Sequence, residues 1–180
     1  KMAEAMMARA LQECPKDGKL WGEAIEMEEG AARRKTKALD ALKACEVDDV
    51  DVMMSVAKAV FWGERKVEKA RAWMNRAVTL KPENGDAWGV LYKFETQHGT
   101  EKQKEDVIKR CTAAEPTQGT LWKSVIKSIL MTITTTTTTT TTPRRESIMM
   151  TTTNKEQLKL ITPSQVLIKV AELIPVPSSL

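Results

Sequence analysis

The chain has 180 residues, of which 29% are charged and 4% are aromatic, and its formal net charge at neutral pH is +4. This length accommodates one modest domain, and so small an excess of positive charge does not by itself predict a nucleic-acid-binding protein. Three cysteines without a C-x-x-C pair and one histidine argue against a disulfide framework and a metal site, and favour a reducing compartment. We find no signal-peptide pattern and no apolar run long enough to span a bilayer, so no membrane partner is expected.

The first 14 residues have the pattern of a helix that belongs to an earlier repeat. They end in Ala8-Arg-Ala-Leu11, which is typical of the second helix of a helical hairpin, and the first helix of that hairpin is missing. The chain also begins on a lysine instead of an initiator methionine. We therefore expect a fragment of something longer.

Three tryptophans each follow a proline by six residues, in copies of the pattern P-x-x-G-x-[LA]-W. The copies are Pro15–Trp21, Pro82–Trp88 and Pro116–Trp122. The last two prolines are 34 residues apart and the first two are 67 apart, which is close to twice that step. A fixed period near 34 is typical of stacked helical hairpins, each of which cannot bury its apolar face alone.

A fourth copy of the unit lies between the first two motifs but lacks the proline and the tryptophan. Ala41, Leu42 and Cys45 repeat the earlier Ala10, Leu11 and Cys14, and Met53 then occupies the tryptophan position. Apolar residues follow three and four positions after each tryptophan or its substitute, which places them on one helical face. They are Ala24 and Ile25, Val56 and Ala57, Leu91 and Tyr92, and Val125 and Ile126.

A second helix is predicted after each first helix, over residues 36–45, 67–80 and 100–111. Glycines at positions 30, 63 and 99 are expected to end the preceding helices in the left-handed conformation. Thr100 and Gln103 have the spacing of a capping box. The sequence therefore predicts an all-α fold over residues 1–130, a right-handed superhelical solenoid of antiparallel helix pairs.

The details of the motif resemble the half-a-tetratricopeptide (HAT) repeat more closely than the tetratricopeptide repeat (TPR). A tetratricopeptide first helix has a small residue four positions and a tyrosine seven positions after its tryptophan, where this chain has Tyr92 and Glu95. The signature Trp, aromatic, Glu of a HAT first helix is similar to Trp88, Tyr92 and Glu95, and Trp21 with Glu28 matches it without the aromatic residue. Pro15, Pro82, Pro116 and Trp122 complete the repeat-defining set.

Several longer stretches resemble the C-terminal HAT repeats of the pre-mRNA-processing factor 6 family, over roughly residues 1–128. They are Ala10–Pro15, Asp40–Lys43, Ala57–Trp62, Gly85–Trp88, Tyr92–Glu101, Lys109–Cys111 and Ala114–Pro116. The resemblance implies a non-catalytic nuclear scaffold of the spliceosome that bridges protein components of the U5 small nuclear ribonucleoprotein (snRNP) and the tri-snRNP. The alternative is a generic TPR-like adaptor for peptide or protein partners in another RNA-processing or chaperone complex.

Two glutamates lie seven positions after a tryptophan, where packing alone would select an apolar residue. They are Glu28 and Glu95. An isolated buried charge is costly, so we expect Glu95 to pair with an arginine of a neighbouring second helix, Arg71 or Arg110, and to fix the packing of repeats. The alternative is that both glutamates lie at the solvent rim.

Candidate contacts with a partner fall outside the repeat motif. Trp62 and Trp73 break the repeat register, so they are candidates for partner contact, although a place in the core is the alternative for both. Arg33 and Arg34, and Arg65 and Lys66, begin basic clusters that would suit peripheral contact with small nuclear RNA phosphates. The alternative is a solvated face, because Glu64 and Glu68 interleave the second cluster.

No catalytic arrangement is present in the sequence. It has no glycine-rich phosphate loop, no serine–histidine–aspartate order and no metal triad. We therefore expect no enzyme activity, no cofactor and no small-molecule substrate.

The character of the chain changes after residue 130. Residues 131–153, which include the threonine run 134–142, are predicted to form a disordered low-complexity linker. In the tail, residues 154–180, Thr162 and Pro163 have the pattern of a helix start, and an apolar stripe follows as far as Ile174. We expect a short amphipathic helix there that either docks on the open end of the array after Trp122 or stays unattached.

Overall fold

A computed structural model describes residues 2–46, 48–138 and 161–175. Within these ranges the fold is all-α, as the sequence predicts, and no strand is formed. The helices are α1 (Met2–Glu13), α2 (Gly18–Glu26), α3 (Ala31–Ala44), α4 (Val50–Val56), α5 (Val67–Leu80), α6 (Gly85–His98), α7 (Glu101–Ala114), α8 (Thr120–Thr138) and α9 (Pro163–Leu173). A π-helical segment, Ala57–Trp62, continues α4 without a break. The handedness of the superhelix stays a prediction.

The chain divides into two compact units, one that runs to Lys81 and one formed by Pro82–Ile174. In the first unit α2 packs on α1, α3 and α4, and α4 with its π-helical continuation packs on α3 and α5. The core combines large apolar residues of the first helices with small alanines of the second helices, which lets the backbones approach closely. Its buried members include Ile25, Ala38, Ala41, Val52, Val56 and Val60.

The second unit is built around α6, which contacts α7, α8 and α9. Only Gly99 and Thr100 connect α6 to α7, so these two helices form an antiparallel hairpin. Trp88, Leu91 and Phe94 of α6 are buried, and so are Val107 of α7 and Trp122 of α8. The predicted stripe is therefore the core face in the first unit, while in the second unit Leu91 and Val125 are buried and Tyr92 and Ile126 are half-buried.

Helix boundaries agree with the sequence prediction where a cap or a strong apolar period defines them. Helix α5 occupies the predicted residues 67–80, and the predicted capping box of Thr100 and Gln103 opens α7. Helix α3 begins five residues before the predicted position 36. Helix α8 continues through Thr138, past the boundary expected at residue 130, and the rest of the threonine-rich linker lies outside the described residues.

The predicted left-handed glycines at helix ends are wrong. Gly30, Gly63 and Gly99 have φ angles of −105°, −58° and −97°. Gly30 is instead the N-cap of α3, and the two residues between α6 and α7 are extended, so these connections reverse the chain without a positive φ. Among the described residues the left-handed positions belong to Arg65, Glu115 and Gly119.

Candidate functional site

The proline and tryptophan of the repeat motif are joined by a hydrogen bond in two of the three copies. The indole Nε1 of Trp21 donates to the carbonyl oxygen of Pro15, and that of Trp88 donates to the carbonyl oxygen of Pro82, both at 2.8 Å. Each bond ties the loop before a first helix to the first turn of that helix. In these two copies the pattern P-x-x-G-x-[LA]-W therefore forms a loop that is closed by the indole of its tryptophan.

The third copy is built differently. Helix α8 begins at Thr120, four residues after Pro116, whereas α2 and α6 begin three residues after their prolines. Pro116 is buried, and the Trp122 indole, 1% exposed, makes no hydrogen bond through Nε1 to any residue that the structure describes. Backbone amides of Thr117 and Gln118 donate instead to the carbonyl oxygen of Glu83, in the equivalent loop of the preceding repeat.

The first helices begin at side-chain caps, and one of these caps comes from another helix. Asp17, Asp49 and Asn84 each accept hydrogen bonds from two backbone amides in the first turn of their own helix. For α8 the carboxylate of Asp86, on α6, accepts from the amides of Thr120, Leu121 and Trp122 at 2.6, 3.2 and 2.8 Å. The sequence around Asp86 does not indicate this inter-repeat cap, because an acidic residue in the first turn of α6 is already favourable for its own helix.

In the first two complete copies the glycine of the motif is required by close packing of the next first helix, whereas Gly119 of the third copy has a left-handed φ of 116°. Gly18 and Gly85 are buried first residues of α2 and α6. A Cβ built on Gly18 would overlap the carboxylate of Asp49, and a Cβ built on Gly85 would overlap the indole ring of Trp122. The repeat motif therefore forms the contact between successive first helices.

Glu28 pairs with a lysine of the second helix in its own hairpin. Lys37 Nζ lies 2.7 Å from the Glu28 carboxylate, and both side chains are part-buried. The hydrogen bond from Lys37 lowers the pKa of the Glu28 carboxyl, with a smaller contribution from the charges of Lys37 and Arg33. The pair borders a cavity of about 330 Å³, whose lining includes Met7 and Met27.

Glu95 is buried, with 2% of its surface exposed, so a place at the solvent rim is wrong for this residue. Its Oε2 atom lies against Gly99, and Tyr92 of the same helix is half-buried. The guanidinium of Arg110, one expected partner, lies 5.4 Å from the ring centroid of Trp88 and 3.5 Å from the Asp106 carboxylate. Pairing of Glu95 with Arg71 or Arg110 stays a prediction.

The two tryptophans outside the repeat register lie in or beside the core of the first unit. Trp62 is 5% exposed, which leaves it little surface for a partner. Trp73 is half-buried and packs against the core, and its ring meets that of Phe61 edge-on at 5.3 Å between centroids. Only Trp73 retains a partly exposed edge.

Carboxylates neutralise much of the two basic clusters. Lys66 is ion-paired with Glu64, and this hydrogen bond lowers the pKa of the Glu64 carboxyl, to which Lys35 and Lys69 add smaller contributions. Arg71 pairs with Glu68 at 2.7 Å, and Lys37 is held by Glu28. Arg33 and Arg65 are exposed, Arg65 at a left-handed φ of 57°, and Arg34 is half-buried.

Features of other kinds of site do not appear in the described ranges. There, no group of three or more histidine, cysteine, aspartate or glutamate side chains is placed to hold a metal ion. Burial raises the pKa of the Cys111 thiol to about 12, and Cys45 is also buried, so neither is a reactive thiol. No described helix is both long and apolar enough to cross a bilayer.

Comparison with known proteins finds close relatives among splicing factors. The chain is 54% identical over 97 residues to pre-mRNA-processing factor 6 of Homo sapiens and 49% identical over 97 residues to protein STABILIZED1 of Arabidopsis thaliana. It is 42% identical over 125 residues to pre-mRNA-splicing factor prp1 of Schizosaccharomyces pombe. These matches cover 54%, 54% and 69% of this chain, and 10%, 9% and 14% of the relatives.

No model of a protein family matches the chain. The chain spans about a tenth of the length of the curated relatives it matches, so the matches identify a segment and not a whole protein. At 42–54% identity over more than half of the chain, that segment is a region of the pre-mRNA-processing factor 6 family of splicing factors.

Proposed function

We propose that the chain is part of a non-catalytic scaffold of the spliceosome, which acts in the nucleus during pre-mRNA splicing. In this proposal it bridges protein components of the U5 snRNP and the tri-snRNP. The observation that carries it is the 54% identity over 97 residues to a protein named pre-mRNA-processing factor 6. An array of helical repeats supports the same function, because such arrays offer extended surfaces for partners.

The use of the repeat-motif residues in packing and loop closure supports a scaffold over an enzyme. The recurring glycines and tryptophans of the motif are used in contacts between first helices, and the loops are closed by Trp21 and Trp88. The buried carboxylate Glu95 lies among packed helices and not in an open cleft. The surface that remains for partners is the exposed polar face of the helices.

We propose that RNA contact is peripheral and limited to Arg33 and Arg65. Both side chains are exposed, whereas Lys66 and Lys37 already have carboxylate partners. A phosphate would have to compete with Glu64 and Glu28 for those lysines, which weakens any electrostatic attraction. Protein components are therefore the main partners in this proposal.

The alternative function, a TPR-like groove that holds peptide carboxylates with inward lysines, has less support. Lys37 is paired with Glu28 at 2.7 Å, and Lys58 with Glu26 at 2.8 Å. These ammonium groups are therefore already neutralised within the first unit. A carboxylate clamp needs cations that are available to the ligand.

The experiment is affinity purification of the tagged full chain from nuclear extract, with the bound proteins identified by mass spectrometry before and after ribonuclease treatment. We expect U5 and tri-snRNP proteins in both samples. A Gly85→Ala bait, in which the α6–α8 contact is disturbed, is the matched control and should recover less. If a folded bait recovers no spliceosomal protein, the proposal is overturned. If a peptide with a free C-terminal carboxylate displaces the bound proteins from the bait, the adaptor function is favoured.

Charge reversal tests the peripheral RNA contact separately. We expect Arg33→Glu with Arg65→Glu to reduce retention of small nuclear RNA without loss of helical content. Lys102→Glu with Lys109→Glu, two exposed positions on α7, is the control with the same change of charge. Equal RNA retention by both double variants would exclude a specific role for the two arginines.

A further inference from the structure

The tail helix α9 is docked on the second unit, and not unattached. It packs on α6, α7 and α8 and has 11 residues. Thr162 and Gln165 form a capping box at its start, Pro163 is its first residue, and Pro175 follows soon after its end. The buried residues of α9, and Ile174, which directly follows it, are at most 4% exposed; those of α9 are Val166, Leu167, Val170 and Ala171.

Equivalent glycines in the two units show what α9 replaces. Gly22 follows Trp21, and Gly89 follows Trp88. A Cβ at Gly22 would lie 2.5 Å from Ser55 Oγ of α4, the first helix of the next repeat. A Cβ at Gly89 would lie 2.5 Å from Val170 Cγ1 and 3.1 Å from Ile174 Cδ1, both in the tail. The face of α6 around Gly89 therefore receives α9 where the matching face of α2 receives α4.

Helix α8 follows α7 in the chain, and by analogy with α4 it would be expected on that face of α6. Its contact with α6 is instead displaced along the axis of α8. Gly18 packs on Asp49, which is four residues before Met53, whereas Gly85 packs on the ring of Trp122, which is the counterpart of Met53. The residue of α8 that meets Gly85 therefore lies four positions later in its helix than the residue of the α4 region that meets Gly18. Ser124, the counterpart of Ser55, lines a cavity of about 300 Å³ together with Lys169, Glu172 and Leu173 of α9.

We propose that the face of α6 around Gly89 is a helix-docking groove, and that α9 fills it in cis, in place of the first helix of a following repeat. The missing side chain at Gly89 lets a β-branched residue reach the α6 backbone. Val166, Val170 and Ile174 provide such residues at intervals of four, which is one face of a helix. An apolar face of a repeat must be covered by a neighbouring element, and α9 supplies that cover here.

The linkage to α8 favours occupancy by this segment. Residues 139–162 connect α8 to α9, so the tail helix is always near its groove. Attachment within one chain replaces the bulk concentration by an effective concentration, which is on the order of 1 mM for short tethers. A short helix that would be marginal alone is therefore held in place once its apolar face is covered.

Hydrogen–deuterium exchange of the full chain tests the proposal with two variants on opposite faces of α9. Val170 is 0% exposed and Ile168 is 41% exposed. We expect Val170→Asp to accelerate exchange of residues 163–173, and of α6 around Gly89, by at least about tenfold, whereas Ile168→Asp should change neither by more than about twofold. Protection of α2–α5 in all samples shows that the first unit remains folded.

A synthetic peptide of residues 161–175, added to the Val170→Asp chain, tests docking in trans. The peptide should restore protection of α6 around Gly89, and the same peptide with Val170→Asp should not. Unprotected exchange of α9 in the unsubstituted chain would overturn the proposal. So would equal effects of the two variants, or failure of the wild-type peptide at millimolar concentration to protect α6.

Discussion

The carboxylate of Asp86 accepts a 2.8 Å hydrogen bond from the backbone amide of Trp122, 36 positions later in the chain. Together with its bonds to Thr120 and Leu121, this contact makes a residue of α6 the N-cap of α8. The first helices of successive repeats in the second unit are therefore joined by polar contacts as well as by apolar packing.

Removal of this cap should destabilise the second unit. We expect Asp86→Ala to lower the free energy of unfolding by about 1–2 kcal/mol, because three amides at the start of α8 lose a charged acceptor. Urea unfolding followed by tryptophan fluorescence measures the change. Asp48→Ala, which removes an exposed ion pair with Arg76, should cost no more than about 0.5 kcal/mol. Equal effects of the two substitutions would contradict the inter-repeat cap.

A methyl group at Gly85 should be poorly tolerated. The buried ring of Trp122 occupies the space that the Cβ would need, and a buried ring is not free to move aside. We expect Gly85→Ala to cost about 1–3 kcal/mol through overpacking. At Gly30, the N-cap of α3, the nearest side-chain atom is 4.0 Å from a built Cβ, so in urea unfolding Gly30→Ala should cost only the N-cap preference for glycine over alanine, less than about 1 kcal/mol. A neutral Gly85→Ala would show that the two first helices do not approach as closely as described.

The two fully buried tryptophans should respond differently to substitution by phenylalanine. Trp88→Phe removes both ring volume and the hydrogen bond to Pro82, whereas Trp122→Phe removes ring volume and an indole N–H that has no partner among the described residues. We expect Trp88→Phe to be more destabilising by about 1 kcal/mol, the usual net value of one hydrogen bond. Chemical denaturation of the two variants measures the difference, and the opposite order would contradict the loop-closing role of the Trp88 indole.

The Glu28–Lys37 pair predicts a pH dependence of stability. Because the pKa of Glu28 is lowered in the folded chain, its stabilisation is complete above the ordinary glutamate pKa of about 4.3 and is lost as the pH falls through the lowered value. Glu28→Gln should therefore be less stable than the parent chain at pH 7, by at most about 1 kcal/mol for a part-exposed pair, and equal to it at strongly acidic pH. Glu29→Gln, at the exposed neighbouring position, removes a carboxylate without breaking the contact with Lys37 and should lower the stability at pH 7 by less than Glu28→Gln does.

The three cysteines should differ in reactivity. Cys14 is exposed, while Cys45 and Cys111 are buried, and burial raises the pKa of both buried thiols. In native buffer at pH 8 we expect one thiol to react rapidly with a disulfide reagent and two to react only after unfolding. Cys14→Ser should abolish the rapid phase. Rapid reaction of a second thiol would indicate that one of the helical cores opens readily.

Features that depend on local sequence could be predicted, because one helix contains all the residues that determine them. The limits of α5 and the capping box at Thr100 follow from apolar periodicity and from a three-residue spacing. The position of α9 follows in the same way from Thr162 and Pro163.

Features that depend on contacts between repeats could not be predicted from local patterns. Asp86 caps a helix that begins 34 residues later, and nothing near Asp86 in the sequence indicates that distance. The choice of Lys37 as the partner of Glu28 depends on the rotation of α3 relative to α2. The burial of Trp62 depends on the π-helical segment that ends at that residue.

The π-helical segment Ala57–Trp62 also accounts for about one residue of the uneven spacing of the units. Hydrogen bonding from residue i to residue i+5 accommodates one more residue per turn than the α-helical pattern does. The interval from Leu42 to Val78, which contains this segment, is 36 residues, whereas the interval from Leu11 to Leu42 is 31. Such a bulge lets an array absorb a single-residue insertion during evolution while neighbouring hairpins keep their contacts. A search that assumes a constant period will therefore overlook units of this kind.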